Sequence, residues 1–323
     1  MTNILFRADS SSEIGIGHIM RDLVLASQYS NKDYNIIFAT QNLNGNINHK
    51  ILEAGYKLIT LKSNSKKELV KLIDKLKIDL LVIDHYKINF KKEKYIKEKT
   101  AVKILSFDDT YEKHHCDILL NHNIGANKNK YLELVPKNCE LRCGSKYTLI
   151  RNEFKKIKIK DRKINKQKKI NVFISMGGTD NLNLNIEILK ILKSIKNIKI
   201  HIISTTANSN LKKLKKYVQH SNNINLYVNS DKMAKIMNQC DLAIITPSVT
   251  IHEIIYMELP FIAIKTIDNQ NEIYNYIKKD FLAIDVKDIK NLKKIITKII
   301  TKYNYFKKKL KKLKKLYLSY KKL

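Results

Sequence analysis

Two rounds of strand–helix alternation constrain the fold of this chain more than any other feature of its sequence. Short β-branched apolar runs alternate with longer segments, such as 18–29 and 66–76, in which apolar residues recur at helical spacing. A weakly patterned, Lys-rich stretch at 154–169 separates the two rounds. The predicted strands are 3–9, 34–40, 57–61, 79–84 and 102–107 in the first round, and 170–175, 198–204, 224–228, 242–246 and 261–265 in the second.

This alternation predicts an α/β protein with two doubly wound parallel sheets. We predict an N-terminal α/β domain over 1–154, a linker over 155–168, a C-terminal α/β domain over 169–286 and a basic amphipathic helical tail over 287–323. Ligands of open α/β sheets bind beyond the carboxyl ends of the strands. We therefore expect the functional site in a deep cleft between the domains.

The net charge of +32, from 62 Lys and Arg against 30 Asp and Glu, suggests nucleic acid as a partner at first sight. However, the stretch 287–323 alone holds 15 of the Lys beside one acidic residue, and the remaining charge is diffuse. Apolar residues recur at helical spacing in this tail, which favours a terminal helix packed on the domains with its Lys in water. The second interpretation is a weak contact with an anionic membrane surface. We expect no nucleic-acid partner.

Several protein classes are excluded by composition. No run approaches the roughly 20 apolar residues that span a bilayer, because Lys interrupts every Ile-rich segment. The N-terminus enters a strand pattern without a signal-peptide core. The 4 cysteines are too few and scattered for a disulfide framework. We expect a cytoplasmic protein.

A glycine pair, Gly15 and Gly17, follows the first predicted strand and opens the first helix, with His18 directly after it. Glycines there let backbone approach a ligand, and a helix N-terminus favours an anion. It also disfavours a protonated imidazole, so His18 is a candidate base. The alternative interpretation is a tight turn in which His18 caps the helix.

A second glycine pair, Gly177 and Gly178, ends the first strand of the second round, and Thr179 or Asp180 can cap the following helix. Two uncovered backbone amides suit a diphosphate. The alternative is a plain strand-to-helix turn, and we favour phosphate binding.

Two later strand ends carry further polar candidates. Ser248 can cap a helix whose N-terminus faces phosphate, and Glu253 can accept ribose hydroxyls. The alternative is a capped helix with a solvated Glu. Asn269 and Gln270 follow the next strand and offer amides to a sugar, although such loop amides are often only caps.

In the first round, Tyr86 lies on the same rim as His18 and can hydrogen-bond a ligand, while Asp84 is either a charged group there or a helix cap. The segments Phe107–Asp109 and His114–Cys116 match no standard zinc spacing, so we expect no metal and no cofactor.

Taken together, these motifs resemble one family. The segments that carry the resemblance are 6–18 with 21–23, 83–86, 104–109, 114–121, 149–154, 176–180 and 269–270. They resemble the UDP-2,4-diacetamido-2,4,6-trideoxy-β-L-altropyranose hydrolases of pseudaminic acid biosynthesis, over roughly residues 1–285. The resemblance implies two Rossmann-like domains of glycosyltransferase-B architecture. It also implies a pathway whose product, pseudaminic acid, decorates flagellin or surface glycans.

The resemblance also implies roles for single residues. His18 matches the catalytic base, and Tyr86 and Asn269 match active-site polar groups. The substrate and UDP contacts would come from Gly15, Gly17, Arg151, Gly177, Gly178, Thr179, Ser248, Glu253 and Gln270. The chain departs from the family at Pro247 and Val249, where small residues are usual. Because Pro has no N–H, this turn would offer phosphate one contact fewer.

We expect His18 to activate a water that attacks C1 of the sugar with inversion, while backbone amides of the second domain hold the departing UDP. A glycosyltransferase of the same architecture is the first alternative, since fold does not decide the acceptor. A basic nucleic-acid or anionic-membrane binding protein is the alternative from another class.

Overall fold

The computed structural model describes residues 1–29, 33–164 and 167–318, and the side chains of Asn269, Tyr317 and Leu318 lie outside this description. The chain divides into two compact units: Met1–Leu149 form the first, and Ile150 begins the second. In the stretch predicted as a linker, Arg162 is fully buried and donates hydrogen bonds to backbone carbonyls of the second unit, at Met237, Cys240 and Met257. These bonds fasten the described part of that stretch to the second unit.

The first unit is a parallel sheet of seven strands with helices between them. Along the chain it contains β1 (Thr2–Ala8), α1 (Gly17–Ala26), β2 (Tyr34–Gln41), α2 (Asn48–Glu53), β3 (Lys57–Leu61), α3 (Lys66–Leu76), β4 (Leu80–Asp84), α4 (Phe90–Lys99), β5 (Lys103–Phe107), β6 (Ile118–Asn121) and β7 (Glu140–Cys143). The strand order is β3-β2-β1-β4-β5-β6-β7. The winding reverses between β1 and β4, where Ala8 lies opposite Asp84. We call this the first switch point, the place where open α/β sheets bind ligands.

Both faces of this sheet are covered, which explains why its strands are almost continuously apolar. Side chains alternate between faces along a strand. On β1, Leu5 packs in one buried cluster with Ile37 and Leu81, whereas Ile4 and Phe6 pack in a second cluster. The two clusters cover both faces of the sheet and leave its carboxyl edge to the loops.

The second unit repeats this winding with six strands. It contains α5 (Asn152–Lys156), β8 (Ile170–Ser175), α6 (Leu184–Leu192), β9 (Ile198–Ser204), α7 (Leu211–Val218), β10 (Ile224–Val228), α8 (Met233–Gln239), β11 (Leu242–Ile245), α9 (Thr250–Tyr256), β12 (Phe261–Lys265), α10 (Asn271–Lys278), β13 (Leu282–Asp285), α11 (Leu292–Thr301) and α12 (Tyr303–Leu318). The order is β10-β9-β8-β11-β12-β13, so a second switch point lies between β8 and β11. The prediction of two doubly wound parallel sheets is confirmed, with β6, β7 and β13 in addition to the ten predicted strands.

The basic tail forms α11 and α12, and its apolar stripe is buried. Ile299, Tyr303, Phe306 and Leu310 are all nearly inaccessible to solvent, while most Lys of α12 are exposed. The Tyr303 hydroxyl donates to the carbonyl of Asp241, 2.7 Å away, at the start of β11. Over the described ranges, no helix combines the length and the apolarity that crossing a membrane requires.

Candidate active site

His18 stands at the first switch point because the loop after β1 turns sharply before α1. Gly15 adopts φ +84°, a left-handed conformation that favours glycine, and its N–H donates to the carbonyl of Ser11 at 2.8 Å. Helix α1 begins two residues later at Gly17, and a Cβ at either glycine would meet open space. No side chain caps this helix, so His18 does not act as its cap.

The imidazole of His18 is instead paired with Asp84 at the end of β4. Its Nδ1 lies 2.6 Å from Oδ1 of Asp84, a carboxyl group that is only 1% exposed. Burial alone would raise the pKa of Asp84, but the charge of Arg21 and the hydrogen bonds from Arg21 and His18 hold it well below its usual range. Asp84 is therefore a carboxylate placed to accept a proton from Nδ1 of His18, and in that tautomer the lone pair is on Nε2. An imidazole held in this way by a buried carboxylate is able to act as a general base.

Arg21 orients the carboxylate of this pair. It lies three residues after His18 on α1, on the same helix face, and both its Nε and Nη2 donate to Asp84. A third nitrogen, Nη1, lies 3.2 Å from Oδ2 of Asp109, which follows β5. Bidentate pairing fixes the plane of the carboxylate as well as its position.

Tyr86 completes the polar group at this edge. Its hydroxyl donates to Oδ1 of Asp109 at 2.9 Å, and its ring meets the edge of the His18 ring with centroids 5.2 Å apart. Burial and the neighbouring Asp109 carboxylate raise the pKa of Tyr86, so the hydroxyl remains a proton donor. The side chain is 56% exposed, which leaves it accessible to a ligand.

Two members of this cluster, Arg21 and Asp109, were not among the predicted site residues, whereas Asp84 was predicted as either a charged group at this rim or a helix cap. The signal for Arg21 was its helical spacing from His18, and the signal for Asp84 and Asp109 was their position at the ends of strands. Asp84 does not cap a helix, which was one of its two predicted roles, because its carboxylate is used by His18 and Arg21.

At the second switch point, Gly177 and Gly178 form the turn after β8. Gly177 adopts φ +80°, and a Cβ placed there would meet open space. Thr179 is half-buried, and it is Asp180 that accepts hydrogen bonds from the first amides of α6, those of Leu184 and Asn185, at 2.8 and 3.2 Å. Asp180 therefore holds the first turn of α6, and a Cβ-free backbone at Gly177 precedes it.

The turn after β11 differs from the predicted one. Helix α9 begins at Thr250 with Val249 at its N-cap position and no side-chain cap, so the prediction that Ser248 caps this helix is wrong. The backbone N–H of Ser248 instead closes a tight turn with the carbonyl of Thr246 at 2.8 Å, across Pro247. The ring of Pro247 places Ser248 inside that turn, one residue too early for the helix.

Glu253 is not a solvated side chain either. It is only 4% exposed, and its two oxygens accept from Nε and Nη2 of Arg151 at 2.6 and 2.9 Å. Arg151 also contacts Glu153 at 2.9 Å. The structure thus brings together two predicted site residues, Arg151 and Glu253, in one ion pair within the second unit.

The loop after β12 contains the last two predicted residues. The side-chain oxygen of Gln270 accepts from the backbone N–H of Thr266 at 2.8 Å, which ties the loop to itself. The side chain of Asn269 lies outside the described part of the structure. Over the described residues, no three His, Cys, Asp or Glu side chains are placed to hold a metal ion.

Comparison with known proteins yields relatives that match most of the chain. The UDP-2,4-diacetamido-2,4,6-trideoxy-β-L-altropyranose hydrolase of Campylobacter jejuni is 44% identical over 284 residues, which are 88% of this chain and 99% of that protein. The uncharacterized protein MJ1062 of Methanocaldococcus jannaschii is 32% identical over 84% of this chain and 57% of its own length. No protein-family model matches the chain.

Solved structures show the fold. MurG of Acinetobacter baumannii matches with a TM-score of 0.65 and 12% identity, over 98% of this chain and 95% of that one. The spinosyn rhamnosyltransferase SpnG matches with a TM-score of 0.65 and 10% identity, over 99% and 96%. These are glycosyltransferase-B proteins, in agreement with two Rossmann-like units. With its fold shared by these enzymes and its sequence by the Campylobacter protein, the chain belongs to the family of UDP-2,4-diacetamido-2,4,6-trideoxy-β-L-altropyranose hydrolases.

Proposed function

We propose that this protein hydrolyses UDP-2,4-diacetamido-2,4,6-trideoxy-β-L-altropyranose to UDP and 2,4-diacetamido-2,4,6-trideoxy-L-altrose. The observation that carries the proposal is the buried pair of His18 and Asp84 at the first switch point, with Nδ1 and Oδ1 2.6 Å apart. The relative that is 44% identical is named for this reaction.

The chemistry is one proton transfer coupled to one substitution at carbon. Nε2 of His18 takes a proton from a water molecule as the water oxygen bonds to C1 of the sugar. The bond from C1 to the diphosphate oxygen breaks, and its electron pair leaves with UDP. Attack opposite the leaving group inverts C1. Asp84 stabilises the imidazolium that forms, and the proton then passes to solvent.

Two further residues of the first unit support this base. Arg21 holds the Asp84 carboxylate in plane, so that the imidazole has one orientation. Tyr86 touches the ring edge of His18 and keeps its phenolic proton, so we assign it as a donor to the sugar. Gly15 and Gly17 leave open space beside His18 for the substrate.

We assign UDP to the second unit. Open space at Gly177 supports a close approach of the diphosphate to the turn formed with Gly178 and Thr179. We also assign Ser248 and the Arg151–Glu253 pair as contacts to the nucleotide. Asn269 and Gln270 are assigned as hydrogen-bond partners of the sugar. No metal is needed in this scheme, because backbone amides stabilise the leaving diphosphate.

The decisive experiment is hydrolysis in ¹⁸O-enriched water. Attack at C1 puts the label in the released sugar, whereas attack at phosphorus puts it in UDP. Mass spectrometry of both products separates the two. Label in UDP would show that water attacks phosphorus, which contradicts the role proposed for His18 as the base for attack at C1.

The glycosyltransferase-B fold favours a second candidate, transfer of the sugar to an acceptor other than water. The two functions differ in a simple assay, since hydrolysis releases UDP in buffer alone. UDP release that begins only after an acceptor is added would establish the transferase.

We further propose that the reaction belongs to cytoplasmic pseudaminic acid biosynthesis and supplies flagellin glycosylation. Membrane or nucleic-acid binding through the tail is less well supported, because the apolar stripe of α12 is buried. A weak contact of its exposed Lys with an anionic surface is compatible with that packing.

A further inference from the structure

Two of the four cysteines lie side by side in the first unit. All four are free thiols, and Sγ of Cys116 lies 3.7 Å from Sγ of Cys139, although the two residues are 23 positions apart in the chain. The mechanism above uses neither side chain. Two thiols that a fold holds in contact can be joined by oxidation.

The contact follows from the pairing of β6 with β7. The first registered pair of these parallel strands is Ile118 with Glu140, and the N–H of Glu140 donates to the carbonyl of Asp117 at 2.9 Å. Cys139 therefore directly precedes one strand, and Cys116 lies two residues before the other. Neighbouring strands run about 4.8 Å apart, within the range of about 4.4–6.8 Å that disulfides span between Cα atoms. Side-chain rotation can therefore bring the sulfurs to bonding distance without a change in strand pairing.

The other two cysteines are poorly placed to compete for Cys139. Cys143 lies four residues after it, at the end of β7, so about 13 Å of extended chain separates the two. Cys240 is fully buried in the second unit, and its thiol donates to the carbonyl of Ile236 at 3.2 Å. Cys116 is thus the partner that the fold offers to Cys139.

The two thiols differ in their access to solvent. Cys116 is 3% exposed and belongs to the buried cluster that also contains Tyr131. Cys139 is half-buried and follows two exposed residues, Lys137 and Asn138. A small oxidant can therefore reach Cys139 first, while Cys116 lies behind it.

The acidity of the two thiols differs in the same sense. The hydrogen bond from Cys116 lowers the pKa of Cys139, whereas that hydrogen bond and burial raise the pKa of Cys116. Because the thiolate is the reactive form, Cys139 is the nucleophile of the pair and Cys116 is the thiol that resolves the product. Exposure and acidity thus assign the same order of reaction.

We propose that Cys116 and Cys139 are a site of reversible oxidation, at which hydrogen peroxide converts the two thiols into one disulfide. This inference goes beyond the proposed function and does not depend on it, since it uses none of the residues assigned to the hydrolysis.

The reaction takes two steps and consumes one peroxide. The Cys139 thiolate attacks an oxygen of hydrogen peroxide, the O–O bond breaks, and the departing hydroxide takes up a proton, so that Cys139 becomes a sulfenic acid. Sγ of Cys116 then attacks that sulfur, the S–O bond breaks, and the second hydroxide takes the Cys116 proton. The thiols lose two electrons, and the peroxide is reduced to two molecules of water. A dithiol reverses the bond by thiol–disulfide exchange.

The disulfide would join the two ends of the segment 117–138. Tyr131 lies in this segment, is fully buried and donates to Asp108 at 2.6 Å. Both cysteines precede their strands, so the bond forms at the amino edge of the sheet, opposite the carboxyl edge that carries His18. Because a cross-link restricts the unfolded chain, the oxidised protein should unfold at a higher urea concentration.

The test is tryptic mapping of the folded protein after treatment with hydrogen peroxide and alkylation of the remaining thiols. Trypsin places Cys116 in the peptide 114–128 and Cys139 in the peptide 138–142, separate from Cys143. We expect mass spectrometry to find these two peptides joined, and dithiothreitol to separate them.

Two variants bracket this result. Cys143→Ser is the matched control and should give the same linked peptides. Cys139→Ser should give none and should leave Cys116 as a free thiol. In urea denaturation followed by circular dichroism, oxidation should raise the midpoint of the wild type by about 1 M and leave that of Cys139→Ser unchanged.

A comparison of folded and unfolded wild type needs no variant, so it tests the inference even if Cys139→Ser fails to fold. The link should form at least about 10-fold faster in the folded protein than in urea, because the fold holds the thiols in contact. Equal rates would overturn the inference. So would a link from Cys139 to Cys143 or to a second chain, a sulfinic acid at Cys139 beside a free Cys116, or a urea midpoint that falls on oxidation.

Discussion

Nδ1 of His18 and Oδ1 of Asp84 lie 2.6 Å apart although 66 residues separate them in the chain. The contact exists because β1 and β4 are neighbours in the sheet, with Ala8 opposite Asp84. The loop after β1 and the end of β4 therefore meet at one point. We expect the loss of this pair to lower kcat more than the loss of any other contact in the cluster.

Replacing the base should stop the reaction. We expect His18→Asn to lower kcat by about 10²- to 10⁴-fold, because general base catalysis typically contributes that much. UDP affinity, measured by calorimetry, should stay unchanged. His49→Asn, at an exposed position on α2, is the control and should turn over normally. Normal turnover by His18→Asn would exclude it as the base.

Asp84→Asn should be nearly as damaging, for a different reason. The amide can donate to Nδ1 of His18, which would move the ring proton to Nε2 and block the lone pair that takes the proton from water. We expect a loss in kcat of at least 10²-fold, in steady-state assays. Asp109→Asn leaves the His18–Asp84 contact in place and should lose clearly less; an equal loss in both variants would argue against a tautomer effect.

The Asp84 carboxylate should make the free energy of unfolding depend on pH in the acid range. Because the folded pKa of Asp84 is depressed, the unfolded chain takes up a proton at a higher pH than the folded one. Its contribution to stability is thus present above the ordinary value of about 4 and is lost as the pH falls below it. The difference in urea midpoint between wild type and Asp84→Asn should shrink from pH 6 to pH 3. Asp74→Asn, at an exposed position, should show no such change.

His114 should have the opposite dependence. Its pKa is raised from 6.5 to about 9, so it stabilises the fold fully below 6.5, and this contribution is lost as the pH rises through 9. A shift of that size corresponds to at most about 3 kcal/mol. The urea midpoints of wild type and His114→Asn should converge between pH 6.5 and 9.5. A constant difference over that range would contradict a charged His114.

The tail should contribute to stability through its buried face. Leu310 is fully buried on α12, so Leu310→Ala is expected to cost about 2–5 kcal/mol of unfolding free energy in urea. Leu316, on the same helix and 48% exposed, is the matched control, and its replacement by Ala should cost much less. Equally small losses of unfolding free energy in both variants would mean that the packing of α12 contributes little to stability.

Much of the fold could be predicted from the spacing of apolar residues, because strands that are buried on both faces consist of short apolar runs. Three strands of 4 residues each, β6, β7 and β13, were not in the predicted set, although β11, which has the same length, was. The local pattern also failed at Ser248, where Pro247 and a tight turn move the N-cap position by one residue, to Val249. The local pattern does indicate which single residues follow a strand end, as it did for His18 and Tyr86.

Pairs distant in the chain could not be predicted in this way. Arg151 and Glu253 are 102 residues apart and meet only because α5 and α9 belong to one folded unit. Likewise, the role of Asp84 depends on Arg21 and His18 from another element. Such contacts follow from strand order, which periodicity does not specify.

The two switch points have a consequence for how such a sequence can evolve. The proposed chemistry lies at the carboxyl edges of the two sheets, in the strand ends, the turns that follow them and the first turns of α1 and α9, while the rest of the helices and the strand interiors only have to stay apolar on their buried sides. Lys on exposed positions and Ile in the core can therefore accumulate without changing those edges. That separation is compatible with a net charge of +32 in a chain that is 44% identical to the Campylobacter hydrolase.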